Sequence, residues 1–223
     1  MTELVLRNKN ILDHLEYVKS TIVKNQDVFN DSNALYSPSD AITDGEKYLS
    51  LDYLKKHMSN PEGANHPMEH YSNPVEHAHI KNPDNKELEN IFKFSRVELI
   101  QELGANDNAV FLYYPKGGFV GWHTNEANSG YQFIFSWSEK GDGYFQYYDK
   151  KTQKVIRIED KAGWQARYYH FGKDEPDHCW HSAYTNVPRI TICVLFRWWD
   201  KPHLKDQILA MKDHLIEEIE SEI

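Results

Sequence analysis

Cysteine is scarce: Cys179 and Cys193 are the only two in 223 residues. Two thiols cannot form the dense disulfide framework that holds small secreted scaffolds, so the fold must rest on a packed core. No apolar run approaches the roughly 20 residues of a membrane span, and the sequence shows no secretory leader. The expectation is a cytoplasmic protein with no membrane partner, whose thiols pack in strands and stay unbridged. Positive charge is also in deficit, 25 Lys and Arg against 34 Asp and Glu, for a formal net charge of -9. Neutralising a phosphate backbone needs a basic surface, and no lysine cluster here forms a long run, so general nucleic-acid binding is not expected. There is no internal repeat and no second domain boundary.

What the chain does have is material for a core: 40% apolar residues and 13% aromatics, well above the composition of disordered chains. One domain over 1–223 is expected, with a helical region at 1–104, a β-core at 105–199 and a closing helix at 204–222. Leu4, Leu6, Ile11, Leu12, Leu15, Val18 and Ile22 recur at spacings of three, four and seven, which predicts an amphipathic helix over 3–24. Asp44 is placed to cap a short helix from Gly45 to Lys56. Residues 57–85 carry four prolines and five histidines, at 57, 66, 70, 77 and 79. Their spacing matches no closed zinc pattern, and the stretch reads as a long irregular loop, of the kind that often covers a site. A strong helix follows over 86–103, with Gly104 as its stop.

After Gly104 the period changes from helix to strand. Segments near 109–114, 118–123, 131–137, 143–149, 154–159, 163–171, 178–184 and 189–199 are separated by turn signals such as Lys140-Gly-Asp-Gly143. Eight of them predict two packed antiparallel sheets or a barrel. Within this β-core, Gly117-Gly118 permits a tight reversal and Phe119 to Trp122 leads into His123-Thr-Asn125-Glu126. An imidazole and a polar oxygen therefore stand two residues apart at a strand end. Much later, His178-Cys-Trp-His181 precedes a strand opening with Arg189 and Thr191. Two neutral imidazoles and an oxygen donor on one face suit divalent iron with open coordination positions. Arg189 sits in an apolar strand and needs an anion; its planar fork suits a carboxylate.

These residues resemble the iron(II)- and 2-oxoglutarate-dependent oxygenases of the prolyl-hydroxylase type. That family has a His-x-Asp/Glu pair, a distal His, and an Arg-x-Ser/Thr sequence on its last core strand. The run Tyr-Pro-Lys-Gly-Gly-Phe-Val-Gly-Trp-His looks like the family's approach to its first ligand, with Tyr114 nine residues before His123. The similarity covers residues 109–198. It implies a double-stranded β-helix, iron(II) on His123, residue 125 and His181, and 2-oxoglutarate on Tyr114, Arg189 and Thr191. The implied reaction is hydroxylation of a C–H bond on a small molecule or peptide, with release of succinate and CO2.

One position departs from the family: residue 125 is Asn, not an acid. An amide oxygen coordinates iron without contributing charge. Glu126 supplies the charge if the turn swings, and a third arrangement leaves the oxygen position to water or a halide. His178 lies three residues before His181, on the opposite strand face, and is the alternative distal ligand. The same residues also fit a binding or structural module with a degenerate site, or a cupin-like metal protein that makes no use of 2-oxoglutarate.

Overall fold

The computed structural model describes residues 1–30, 45–59, 75–76, 85–125, 128–172 and 179–222. Its centre is a strand buried along its whole length, Arg189–Phe196. Ile190, Ile192, Val194 and Phe196 point one way, into a core shared with helices. Cys193, of the opposite parity, joins a separate cluster between two sheets. This two-residue alternation gives one strand two unlike faces.

In chain order the strands are β1 (Thr2–Leu4), β2 (Val75–Glu76), β3 (Asp107–Tyr114), β4 (Phe119–His123), β5 (Gly130–Ser138), β6 (Gly143–Asp149), β7 (Lys154–Glu159), β8 (Gly163–Phe171), β9 (His181–Thr185) and β10 (Arg189–Phe196). One sheet runs β1-β8-β5-β10-β3-β2 and the other β4-β9-β6-β7. The strand pairings are antiparallel. From β3 onward the chain passes repeatedly between the sheets, so eight strands form a double-stranded β-helix. β1 and β2 extend the edges of the larger sheet.

The helices are α1 (Lys9–Lys24), α2 (Gln26–Asn30), α3 (Gly45–Leu49), α4 (Leu51–Met58), α5 (Lys86–Lys93), α6 (Leu99–Glu102) and α7 (Lys205–Glu220). On the outer face of the larger sheet, Leu15 and Ile22 of α1, Leu88 and Ile91 of α5, and Leu215 of α7 share a core with Phe133, Phe135 and Ile192. On the outer face of the smaller sheet, Tyr48, Tyr53 and Leu54 of α3 and α4 pack on Phe119, Trp122 and Trp180.

Several expected boundaries move. The helix expected over 3–24 starts at Lys9, because the Asn8 side chain accepts from the Ile11 amide at 3.1 Å and stops the helix there. Leu4, which fits the helical spacing, instead pairs with Ala166 across β1 and β8. The segment expected over 45–56 is two helices, since Ser50 caps a second one through Tyr53 N; Asp44 lies outside the described residues. α5 and α6 are joined by a wider π-helical turn, Phe94–Glu98. The 57–85 stretch is partly structured: His57 is buried in α4, and Val75–Glu76 pairs with β3. His66, His70, His77 and His79 lie outside the described residues. The last core strand ends at Phe196, short of 199, and the closing helix spans Lys205–Glu220 in place of 204–222. No helix among the described residues is long and apolar enough to cross a membrane.

Ile192, 2% exposed at the centre of β10, is where the helical core and the larger sheet meet. We expect Ile192→Ala to lower stability by about 2–5 kcal/mol through lost transfer energy and the cavity left behind. The check is urea denaturation, with the midpoint falling and the slope unchanged.

Candidate functional site

The approach to His123 contains a bulge. Val120 faces Ala183 and His123 faces His181, so β4 spends two residues, Gly121 and Trp122, where β9 spends one, Ser182. Without that extra residue, strict alternation would put Val120 and His123 on opposite faces. With it, His123 joins His181 on one face, while Trp122 turns outward and donates from Nε1 to Leu49 O at 2.9 Å.

The two imidazoles are buried side by side, with ring centroids 4.2 Å apart and planes at 49°. Nδ1 of His123 is 2.8 Å from Gly121 O and Nδ1 of His181 is 2.9 Å from Cys179 O. A carbonyl can only accept, so each Nδ1 carries the proton and each Nε2 carries the lone pair. This is the backbone anchoring usual for metal-binding histidines. Phe145 and Phe171 flank His181 at 5.6 and 4.9 Å.

Asn125 donates from Nδ2 to Gln132 Oε1 at 3.2 Å. Gln132 is fixed in turn by donating to Asn128 O and accepting from Cys193 Sγ. The amide nitrogen of Asn125 is thereby committed, and Oδ1 is the end of that side chain suited to a cation. Glu126 and His178, the alternative ligands, lie outside the described residues. Among the described residues, no group of three His, Cys, Asp or Glu side chains could hold a metal ion. A three-donor set must therefore include a donor of another type, such as the Asn125 amide, or a residue beyond them.

Arg189, Thr191 and Tyr114 are also brought together. The Arg189 guanidinium lies 5.2 Å from the Tyr114 ring centroid and donates from Nη1 to Thr191 Oγ1 at 2.7 Å and from Nη2 to Ser136 Oγ at 3.3 Å. The anion that a buried Arg189 was expected to require is present in the chain itself: Nε donates to Asp160 Oδ2 at 2.8 Å, with both side chains buried. Burial pushes this guanidinium down, but Asp160 and Tyr114 outweigh it and the net shift is upward.

Four residues of this interior escape a sequence reading: Gln132, Ser136, Asp160 and Arg167. Asp160 falls in a turn, where Asp is ordinary. Arg167 had a usable signal, being a lone charge among the inward residues of an aromatic strand, the same argument that singles out Arg189.

The thiols are unbridged and buried. Burial pushes Cys179 up to about 12 and raises Cys193 further, so at neutral pH both are protonated and poor nucleophiles. Iodoacetamide at pH 8 should modify neither in the folded protein and both after unfolding in urea, as read by intact mass.

No protein-family model matches the chain, and no curated protein matches it. Solved structures similar to it include a prolyl-4-hydroxylase from Pseudomonas putida, at 16% identity over 53% of this chain and 70% of that one, with a TM-score of 0.31. Hydroxypropylphosphonic acid epoxidase from S. wedmorenis is 17% identical over 39% of this chain and 42% of its own, with a TM-score of 0.26. A predicted oxalate decarboxylase from Thermotoga maritima is 19% identical over 43% of this chain and 73% of its own, with a TM-score of 0.25. These overlaps are partial and their scores low, so the double-stranded β-helix rests on the strand order itself.

Proposed function

We propose that this protein is an iron(II)- and 2-oxoglutarate-dependent oxygenase that hydroxylates a C–H bond of a small molecule or peptide. The observation that carries this reading is the His123–His181 pair, Nδ1-anchored at the mouth of a bulge, on a fold whose interior also holds Arg189 and Thr191. The donor set fits divalent iron: Nε2 of His123, Nε2 of His181 and Oδ1 of Asn125 would hold it, more weakly than a set with a carboxylate. When bound, iron(II) supplies four-electron reduction of dioxygen, two electrons coming from oxidative decarboxylation of 2-oxoglutarate and two from the substrate C–H bond, with one oxygen atom in succinate and one in the product hydroxyl.

The chain's own residues do the positioning. Gly121 O and Cys179 O hold both imidazoles in one tautomer and orientation. Gln132 fixes which end of the Asn125 amide is presented. Asp160 takes the Nε edge of Arg189, so the Nη1 and Nη2 ends are left to hydroxyls, among them those of Thr191 and Ser136. A hydroxyl can rotate and donate to an incoming carboxylate, so this end is the one for the far carboxylate of the keto acid. Ile134, Phe145 and Phe171 line the space between the sheets with apolar surface.

The Asp160–Arg189 pair also favours a second reading, a binding or cupin-like metal protein that makes no use of 2-oxoglutarate, because it neutralises Arg189 without a ligand. Succinate formation from 2-oxoglutarate in air with added iron(II) separates the two. Under the oxygenase reading, His123→Ala removes bound iron and turnover together. Arg189→Lys should weaken 2-oxoglutarate binding tenfold or more, since a charge-assisted forked contact contributes roughly 1.5–3 kcal/mol; anaerobic calorimetry of the metal-loaded protein measures it. Asn125→Asp should tighten iron(II) binding while lowering the stability of the metal-free protein, because a carboxylate would face Gln132 Oε1 without a proton to share. Metal bound with no 2-oxoglutarate binding at millimolar concentration would decide for the second reading.

A further inference from the structure

The charges inside the larger sheet do not balance. Arg167, on β8, is 2% exposed, Arg189 is 1% exposed, and Asp160 is the one carboxylate among the described residues that touches both. Asp160 gives its Oδ2 to Arg189 Nε at 2.8 Å, while its Oδ1 stands 3.6 Å from Arg167 Nη1, beyond a hydrogen bond. Oδ1 and Arg167 Nε are both buried with no hydrogen-bond partner among the described residues. The remaining Arg167 contacts are neutral, Nη2 donating to Gln165 Oε1 at 2.6 Å and to Glu159 O at 3.5 Å. Glu3, opposite Arg167 across β1 and β8, pairs directly with Lys161 at the surface and reaches Arg167 only through its longer-range field. Two guanidiniums therefore share one carboxylate. Burial pushes the Arg167 guanidinium down from its usual value, and Asp160 offsets this only in part. Arg189, held by the same Asp160, shifts up.

An uncompensated charge away from water is among the most costly features a fold can carry. We propose that Arg167 and Arg189, held together by Asp160, form a two-arginine receptor for one carboxylate group of a ligand, with Arg167 supplying the charge that the ligand neutralises. This rests on the reading above if the ligand is 2-oxoglutarate, but the charge count stands without it: any short dicarboxylate that reaches this end of the barrel satisfies it. The bound carboxylate would complete the fold's own charge balance, so occupancy and stability are linked.

The probe is glutarate, which carries the same five-carbon dicarboxylate but lacks the keto group and so needs no metal. Metal-free wild-type protein should melt at least 2 °C higher in about 10 mM glutarate, and glutaramide, its uncharged diamide, should do nothing. Arg167→Gln removes the surplus charge: the unliganded variant should melt no lower than wild type, and its glutarate affinity should fall at least tenfold. Wild-type protein that glutarate fails to stabilise overturns the proposal whether or not the variant folds, as does a folded Arg167→Gln that binds glutarate like wild type. Turnover of 2-oxoglutarate together with unchanged glutarate binding by Arg167→Gln sinks this inference and leaves the oxygenase reading intact. Glutarate binding lost in Arg167→Gln with no turnover in the wild type does the reverse.

Discussion

The interior chemistry depends on β10 keeping a strict two-residue alternation while hydrogen-bonded to β3 on one edge and β5 on the other. Its even residues are apolar and bind the helices to the sheet. Its odd residues, Arg189, Thr191 and Cys193, face the other sheet, and the polar atoms of each meet a partner from another strand or from β10 itself. A shift of one residue in either ladder would put a guanidinium among the helices and isoleucines between the sheets. With neighbours on both sides, such a shift must break two ladders at once. The irregularity opposite Cys193 and Val194 falls on β3 and leaves the β5 register intact.

Along the strand direction the interior is graded. Arg189 and Cys193 are four residues apart on β10, about 13 Å at the strand rise. The guanidinium end is closed by the β6 start: a side chain at Gly143 would stand 3.0 Å from Asp160 Oδ2 and 2.8 Å from Tyr184 O, so only glycine lets the buried carboxylate approach the backbone so closely. At the other level, Cys193 touches Gln132, which holds Asn125, and His181 pairs across to Tyr147 on β6. The Arg189–Asp160 group and the histidine pair thus occupy separate levels of one barrel, linked by Thr191 and Cys193 on a single strand face.

Most of the β-core was legible because period two is a local signal: apolar, aromatic and polar residues alternate along Tyr131 to Trp137 and Ile190 to Phe196 whatever they pack against. Capping was legible only where it agreed with the apolar spacing. At Asn8 it did not; Leu4 and Leu6 extended the helical pattern past a residue whose side chain ends it. The His123–His181 pair was legible from order and spacing, but the reason both rings share a face was not, since a bulge is an event between two strands and leaves no mark on either one alone. The Asp160 contact was hidden for a similar reason. A turn aspartate reads as solvated until the fold closes Gly143 and Arg189 over it, and with that contact unseen, Arg189 appeared to need a ligand that the chain itself partly replaces.

Asn125 and the surplus at Arg167 bear on each other through charge. An acidic ligand would offset half of a dication at the histidine level; the Asn125 amide offsets none of it. At the other level, two guanidiniums and one carboxylate already leave a single positive charge. Under the oxygenase reading, a dication entering this interior alone would add to that surplus across a low-dielectric gap, where like charges repel more strongly than in water. A dianion spanning both levels offsets most of this positive charge, since one carboxylate meets the guanidiniums and the other meets the metal. Metal and dicarboxylate would then each favour binding of the other, and thermodynamic linkage makes that preference equal in both directions. A neutral amide in place of the usual acid would not by itself mark decay of the site. It would shift the burden of holding the metal from the protein to the anion bound beside it.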